Sequence, residues 1–369
     1  MKLIKLFWSL LILLSFVSCG TTGRVLLNGK ITVDDYKIFE NRKIDTGNKN
    51  SYFYEKPNND KLQCLIPDNL NPEKLNSVEE ILVSDKTVAF IIIRDDTIMY
   101  EKYFEGHDKN SVVNSFSVTK SIVSVLIGIA IEEGFIHNVN DVITDYIPEL
   151  KGKGMDNISI ADLLNMRSGI IFNRGFLIPV NNEATYFVSK NLLKNLRFIY
   201  KQKNPQTMFE YASINTTLLG NILISTTGKS LSEYLQEKIW QPLGMESPAY
   251  WSLDSYKSGF EKPFCCINAV VRDFARFGRL ILNDGKWEGR QIVPEEWIKK
   301  CTTPAIEEQN EYSYHFWLFN NNTFYANGFL GQYVFINPNT NTIIVRIGNT
   351  DRKVDWLNLI YYLSEIENY

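Results

Sequence analysis

Histidine is scarce in this chain of 369 residues, with three in all, and cysteine nearly so, with five. His107, His137 and His315 lie far apart, and no cysteines show the spacing of a zinc pair, so no metal site is written in the sequence. A charge excess is missing too: 39 Lys and Arg stand against 42 Asp and Glu, a net charge of −3. Without a basic face to neutralise phosphates, nucleic-acid binding is not expected. Internal repeats and low-complexity tracts are absent. Hydrophobic residues at 44% and aromatics at 13% supply a large core and exclude disorder as a description of the whole. No Gly-x-Ser-x-Gly elbow occurs, which leaves an α/β-hydrolase triad without a nucleophile.

What is present begins with a leader. Lys2 and Lys5 precede an apolar stretch over 6–17 that is broken only by Ser9 and Ser15 and is short for a permanent span. That is the plan of a secretory signal peptide. Its end, Phe16-Val17-Ser18-Cys19, puts a small residue directly before the first cysteine and resembles a bacterial lipoprotein signal. The resemblance implies a protein exported to the periplasm or cell exterior and held on the membrane by a lipid at Cys19. Ordinary cleavage and an uncleaved anchor are the other readings. Residues 20–74 are polar and turn-rich, as in Asn48-Lys49-Asn50, and read as a tether and a loosely packed extension before a domain over 75–369. The remaining Cys64, Cys265, Cys266 and Cys301 are too sparse for a disulfide scaffold.

Two β-rich runs, 88–94 and 97–104, flank Asp95-Asp96 and spell a hairpin. The stretch 117–133 is apolar on all sides and predicts a central buried helix closing at Gly134. Capping patterns at Ser159 and Ser230 open further helices, the first stopping at Gly169; others are expected over 215–227, ended by Gly228, and over 273–283. Strand texture returns at 314–319, 323–326, 332–336 and 342–347, with a turn over 337–341, before a terminal helix over 354–366. Strands at both ends with helices between predict an α+β fold, an antiparallel sheet flanked by helices with an inserted helical region.

Two short motifs mislead. Thr226-Thr227-Gly228-Lys229-Ser230 looks like the end of a phosphate loop, but Leu223 stands where that loop needs glycine, and a helix C-cap followed by an N-cap explains it. Asp45-Thr46-Gly47 resembles an aspartic-protease triplet, yet it is a single copy in a turn-rich stretch. The constellation that survives is Ser117-Val118-Thr119-Lys120, where a strand region hands over to the buried helix. Residues i and i+3 share a helix face, so the amine can reach the hydroxyl. Desolvation disfavours an ammonium ion, so a lysine among apolar side chains is a plausible base for a serine nucleophile. The helix N-terminus favours the oxyanion that acyl transfer forms. Taken alone, the pattern also fits an N-cap serine followed by a snorkelling lysine.

The segment 115–121, with Gly128 and Gly134 after it, resembles the active-site helix of the serine β-lactamase and penicillin-binding-protein superfamily, in its class C, esterase and 6-aminohexanoate-dimer hydrolase-like branch. Matches follow in the same order: Leu163 to Gly169 (LLNMRSG), Phe209 to Ser213 (FEYAS), Trp240 to Met245 (WQPLGM), Arg272 to Gly278 (RDFARFG) and Asn327 to Gln332 (NGFLGQ). The resemblance runs from residue 75 to the end and implies a β-lactamase/transpeptidase-like fold.

It also implies roles. Ser117 would be the acylated nucleophile, Lys120 its general base, and Tyr211 a proton relay. The backbone N–H groups of Ser117 and Phe329 would form the oxyanion hole. Ser213, Asn215, Asn327 and Gly328 would bind substrate, with Ser213 standing where the family commonly has the substrate-orienting Asn. The family's third box, Lys-Thr-Gly or His-x-Gly on an edge strand, is here Ala326-Asn327-Gly328. A methyl group thus replaces the carboxylate-binding cation, which favours esters and linear amides over β-lactams. Gln332 reads as structural, and Trp251, Phe316, Trp317, Tyr325 and Phe329 as either a pocket for an apolar acyl group or core. The expectation is an acyl-enzyme serine hydrolase without metal or organic cofactor, acting on a small ester, linear amide or peptide. A D,D-peptidase or β-lactamase is the rival enzyme, and a non-catalytic ligand-binding or sensor protein the rival of another class. Nothing in the sequence speaks to oligomeric state.

Overall fold

The computed structural model describes residues 31–48, 52–56, 62, 64, 66–71, 73–172, 186–196, 199–201, 204–206, 208–305, 310–351 and 353–366. The signal over 1–19, with Cys19, lies outside them. Among the described residues no helix is long and apolar enough to cross a membrane.

In chain order the elements that build the site are β1 (Asn41–Ile44), β2 (Tyr54–Glu55), α1 (Val78–Ser84), β3 (Thr87–Arg94), β4 (Thr97–Tyr103), β5 (Val113–Asn114), α2 (Val118–Glu132), α3 (Ile160–Leu164), α4 (Ser213–Thr227) and α5 (Leu231–Leu235). After them come β6 (Ala249–Ser252), β7 (Ile267–Ala269), α6 (Val271–Leu282), α7 (Glu295–Thr302), β8 (Tyr312–Ser313), β9 (Phe316–Leu318), β10 (Phe324–Gly328), β11 (Gln332–Asn337), β12 (Thr342–Gly348) and α8 (Trp356–Glu365). The main sheet runs β8-β9-β10-β11-β12-β3-β4-β2, antiparallel except for the β2–β4 pair. A smaller antiparallel sheet runs β1-β6-β7-β5. As the sequence order implies, the main sheet joins distant segments: β12 pairs with β3, placing Ile343 opposite Ile93.

Strand β3 shows why this sheet is an inner layer. Its Ile91 and Ile93 point into one cluster, with α2 and α6, and Phe90 and Ile92 into the other, with α1 and α8. Buried on both faces, the strand reads as a continuous apolar run; each isoleucine contributes roughly 1.5–3 kcal/mol by leaving water. The β3–β4 turn is the expected hairpin, with Asp95 and Asp96 both at positive φ, 48° and 58°, which matches the right-handed twist of the strands it joins. Helix α2 is buried almost throughout. Its Gly128 admits the Trp297 ring, which a Cβ would approach to 2.4 Å, while Trp297 Nε1 donates to the Ser124 carbonyl at 3.0 Å.

Helix α4 closes at Gly228 with φ 68°, and Ser230 caps α5 in a reciprocal box with Glu233, so the phosphate-loop lookalike is a cap followed by a cap. Ser159 and Asp162 form the same box on α3. That helix ends at Leu164, before the expected Gly169, because Met166 turns the chain with φ 56°. Of the strand expected over 314–319 only β9 forms, because Tyr314 and His315, at φ 43° and 66°, turn the chain between β8 and β9.

The loose extension expected over 20–74 needs correction over its described part. Strand β1 pairs with β6, β2 extends the main sheet, and Val33, Ile44 and Phe53 are buried in the main core. With Leu62 and Leu70 buried in the second core, well-separated apolar residues anchor a segment whose turn signals suggested a tether.

Candidate active site

Strand β5 enters the site through Asn114, whose Oδ1 accepts the Phe116 N–H at 2.8 Å and supports a turn in which Phe116 has φ 44°. The turn delivers Ser117 to the N-cap of α2. Its hydroxyl caps no backbone N–H. It instead accepts from Lys120 Nζ at 3.0 Å. Lys120 does not snorkel: it is 2% exposed, donates also to the Phe264 carbonyl at 2.8 Å, and lies 5.0 Å from the centre of the Tyr211 ring. The plain-cap reading of Ser117 and Lys120 therefore fails on both residues.

Tyr211 precedes α4, and its place depends on a loop that the sequence reading matched without explaining. The Met166 carbonyl accepts from the Glu210 N–H at 2.8 Å, and Arg167 and Gln206 are joined through their backbones at 2.8 Å. The Tyr211 ring lies 5.7 Å from that of Trp317 and 6.2 Å from that of Tyr312. The Leu163 to Gly169 motif is thus a buttress for the tyrosine loop. Asn215 belongs to that buttress: its amide accepts from Ser168 Oγ and donates to Met166 Sδ at 3.2 Å. It does not line the cleft, and its expected substrate role is corrected accordingly.

Across the cleft stands β10. It is third from the end of the sheet and so not the expected edge strand, yet β9 pairs only with Phe324 and Tyr325, leaving Ala326 to Gly328 paired to β11 alone. A Cβ on Gly328 would meet the Ser115 carbonyl at 2.5 Å, so the missing side chain lets β10 close on the turn that carries Ser117. Gln332 fixes the turn after it. Its Nε2 donates to the carbonyls of Phe329 at 3.0 Å and Gly348 at 2.9 Å, and its Oε1 accepts the Gly348 N–H at 2.8 Å.

Ser117, Tyr211, Ser213, Asn327, Gly328 and Phe329 all line one cleft of about 400 Å³. Phe116, Phe187, Phe264 and Trp317 make its walls largely aromatic, with Ile31 and Cys265 beside them. Of the suggested aromatic set, Trp317 and Phe329 reach the cleft; Trp251, Phe316 and Tyr325 are buried in the core. Ala326 is buried, and the one charged side chain among the described lining residues is Asp351. Sequence reasoning missed Ile31, Cys265 and Asp351, none of which sits in a recognisable motif. Behind the site His315 is fully buried between Tyr312 Oη (3.2 Å) and Thr216 Oγ1 (3.0 Å). Burial, with the charge of Lys120 adding to it, lowers its pKa to about 3, so the ring is neutral near pH 7.

A serine that a buried lysine holds at the start of a helix, in a cleft with aromatic walls, is the arrangement of a serine hydrolase. The chain belongs to the family described as Beta-lactamase, whose model matches residues 84–365. Among curated proteins it is similar to the 6-aminohexanoate-dimer hydrolase of Paenarthrobacter ureafaciens, 25% identical over 300 residues that cover 75% of this chain and 76% of that one. Among solved structures it resembles a Bacillus anthracis protein provisionally named a 6-aminohexanoate-dimer hydrolase (TM-score 0.77, 22% identity, 90% of this chain and 91% of that one). A family VIII carboxylesterase superposes with TM-score 0.60 at 18% identity, covering 79% and 95%. The fold is the β-lactamase/transpeptidase-like α+β architecture that these structures share.

Proposed function

We propose that the protein hydrolyses small esters or linear amides through an acyl-enzyme, with Ser117 as nucleophile. The observation that carries this reading is the 3.0 Å hydrogen bond from Lys120 Nζ to Ser117 Oγ, inside a cleft whose described lining includes no cation. Lys120 takes the hydroxyl proton as Oγ attacks the carbonyl carbon. The N–H groups of Ser117 and Phe329 receive the developing oxyanion, which needs backbone donors and no particular side chain. Tyr211 passes a proton to the leaving alcohol or amine, and water then releases the acid from Ser117. Ser213 and Asn327 contact the bound substrate from α4 and β10.

The named activity of the Paenarthrobacter relative supports a linear amide between aminoalkanoate units as one substrate class. The absence of a cation at Ala326 supports an uncharged ester or amide over a β-lactam or D-Ala-D-Ala peptide, whose carboxylate would find no cation among the described lining residues and would share the cleft with Asp351. Export and lipid attachment at Cys19 complete the proposal; Cys19→Ala should move the protein from the membrane to the soluble fraction.

The test is turnover of p-nitrophenyl acetate and butyrate, the 6-aminohexanoate dimer and a β-lactam, each against Ser117→Ala. Ester or linear-amide turnover that vanishes in Ser117→Ala supports the reading. A stable β-lactam adduct on Ser117 moves the protein to the penicillin-binding class, and no turnover or adduct at all favours a binding protein.

A further inference from the structure

Among the described residues one disulfide occurs, and it joins sequence neighbours: Cys265 and Cys266, with Cα atoms 3.7 Å apart. The pair lies in a stretch of chain that touches both ends of the segment from Ser115 to Lys120. Just before it, the Phe264 carbonyl accepts from Lys120 Nζ at 2.8 Å. Just after it, the Ile267 carbonyl accepts the Ser115 N–H at 3.1 Å, and the Ile267 N–H donates to Thr119 Oγ1 at 3.1 Å. Between these anchors the chain must turn within two residues. Cys266 makes the turn with φ 76°, a left-handed conformation in which a Cβ crowds the backbone. Cys265 lines the cleft and Cys266 is fully buried behind it.

We propose that the ring closed by Cys265 and Cys266 is a positioning element for Lys120. The covalent closure restricts the extended alternatives open to Cys266 and thereby keeps the Phe264 carbonyl where it aims the amine at Ser117 Oγ. With the ring open, nothing covalent enforces the left-handed residue, the carbonyl gains freedom, and the amine loses its second anchor. A dithiol entering the cleft opens the ring: the S–S bond takes up two electrons and two protons and becomes two thiols, while the dithiol leaves as its cyclic disulfide. The inference rests on the reading of Ser117 as the nucleophile.

The experiment follows the rate at which a fluorophosphonate labels Ser117, an O–P bond forming as fluoride leaves, by intact mass and at a temperature well below the melting point of every form. Dithiothreitol-treated protein, its open ring verified by the gain of two hydrogens, should label about tenfold more slowly, as expected of a displaced catalytic group, and recover on reoxidation. Cys266→Ala removes the ring and keeps the Cβ, so it should match the reduced protein. Cys266→Gly also removes the ring but adopts positive φ freely, and should label within about threefold of the oxidised wild type. Neither variant should respond to dithiol.

Equal rates for the reduced and oxidised protein, or Cys266→Gly as slow as Cys266→Ala, would overturn the inference while leaving the hydrolase reading intact. Absence of Ser117 labelling in the untreated protein would instead overturn that reading, and this inference with it.

Discussion

Gly328 lies so close to Ser115 that a Cβ would stand 2.5 Å from its carbonyl oxygen. The contact sets the separation between β10 and the turn that carries Ser117, and with it the gap between the two backbone N–H groups proposed to hold the oxyanion. Gly328→Ala must push strand and turn apart. Its kcat should fall by about tenfold or more, approaching the roughly hundredfold that loss of one oxyanion donor costs, with KM changed less. Steady-state kinetics on a p-nitrophenyl ester, with the melting temperature as a folding control, check this.

Gln332 governs the same gap from the other side. Its side chain is fully buried and ties Phe329 to β12 through Gly348. Gln332→Ala leaves backbone groups of Gly348 without that partner, at a stability cost of about 1–3 kcal/mol. Urea unfolding should register this loss, and kcat should fall with it because the Phe329 N–H is no longer fixed. A normal kcat in a destabilised variant would confine Gln332 to the fold.

Asp351 gives the cleft a negative rim. Asp351→Asn should improve kcat/KM for substrates whose acyl group ends in a carboxylate, by about two- to tenfold at low salt, and change neutral esters little. A parallel series of neutral and carboxylate-ended p-nitrophenyl esters reads the difference directly.

His315 predicts a pH dependence of stability. The folded ring stays neutral down to about pH 3, whereas the unfolded histidine takes a proton near 6.5. Between those values the unfolded chain holds the extra proton, so stability falls as pH drops from about 6.5, with a slope approaching about 1.4 kcal/mol per pH unit. Asp273 works in the opposite direction. Burial raises its carboxyl pKa to about 7 from an ordinary 3.8, and its contribution is lost as pH rises through that window. The comparison is therefore between wild type and His315→Gln: denaturant unfolding from pH 4 to 7.5 should show the acid-side slope reduced in the variant.

Much of this site was legible in the sequence because it rests on local rules. The i, i+3 spacing put Lys120 beside Ser117, an all-apolar stretch made α2 a central helix, and Asp95-Asp96 wrote the hairpin. What sequence hid was held together by long-range contact. Asn215 looked like a substrate ligand because it is near Tyr211 in the chain, but its amide is committed to Ser168 and Met166 from another segment. Val33, Ile44 and Phe53 are isolated apolar residues without periodicity: Ile44 is carried in by the pairing of β1 with β6, Phe53 directly precedes the strand that pairs with β4, and Val33 is held by the Asn114 N–H on its carbonyl at 2.9 Å. The Phe264 carbonyl that anchors Lys120 is a backbone atom, and no residue type announces it.

The central claim is that Ser117 is acylated with Lys120 as its base, and rapid-quench mass spectrometry tests it most directly. Mixed with p-nitrophenyl butyrate and quenched within milliseconds to seconds, the protein should gain one butyryl group on the Ser117 peptide. Lys120→Met, folded to the same melting temperature within a few degrees, should acylate at least about a hundredfold more slowly, as expected when a general base is lost. An acyl group on a different residue, or acylation of Ser117 at an undiminished rate in Lys120→Met, would contradict the account.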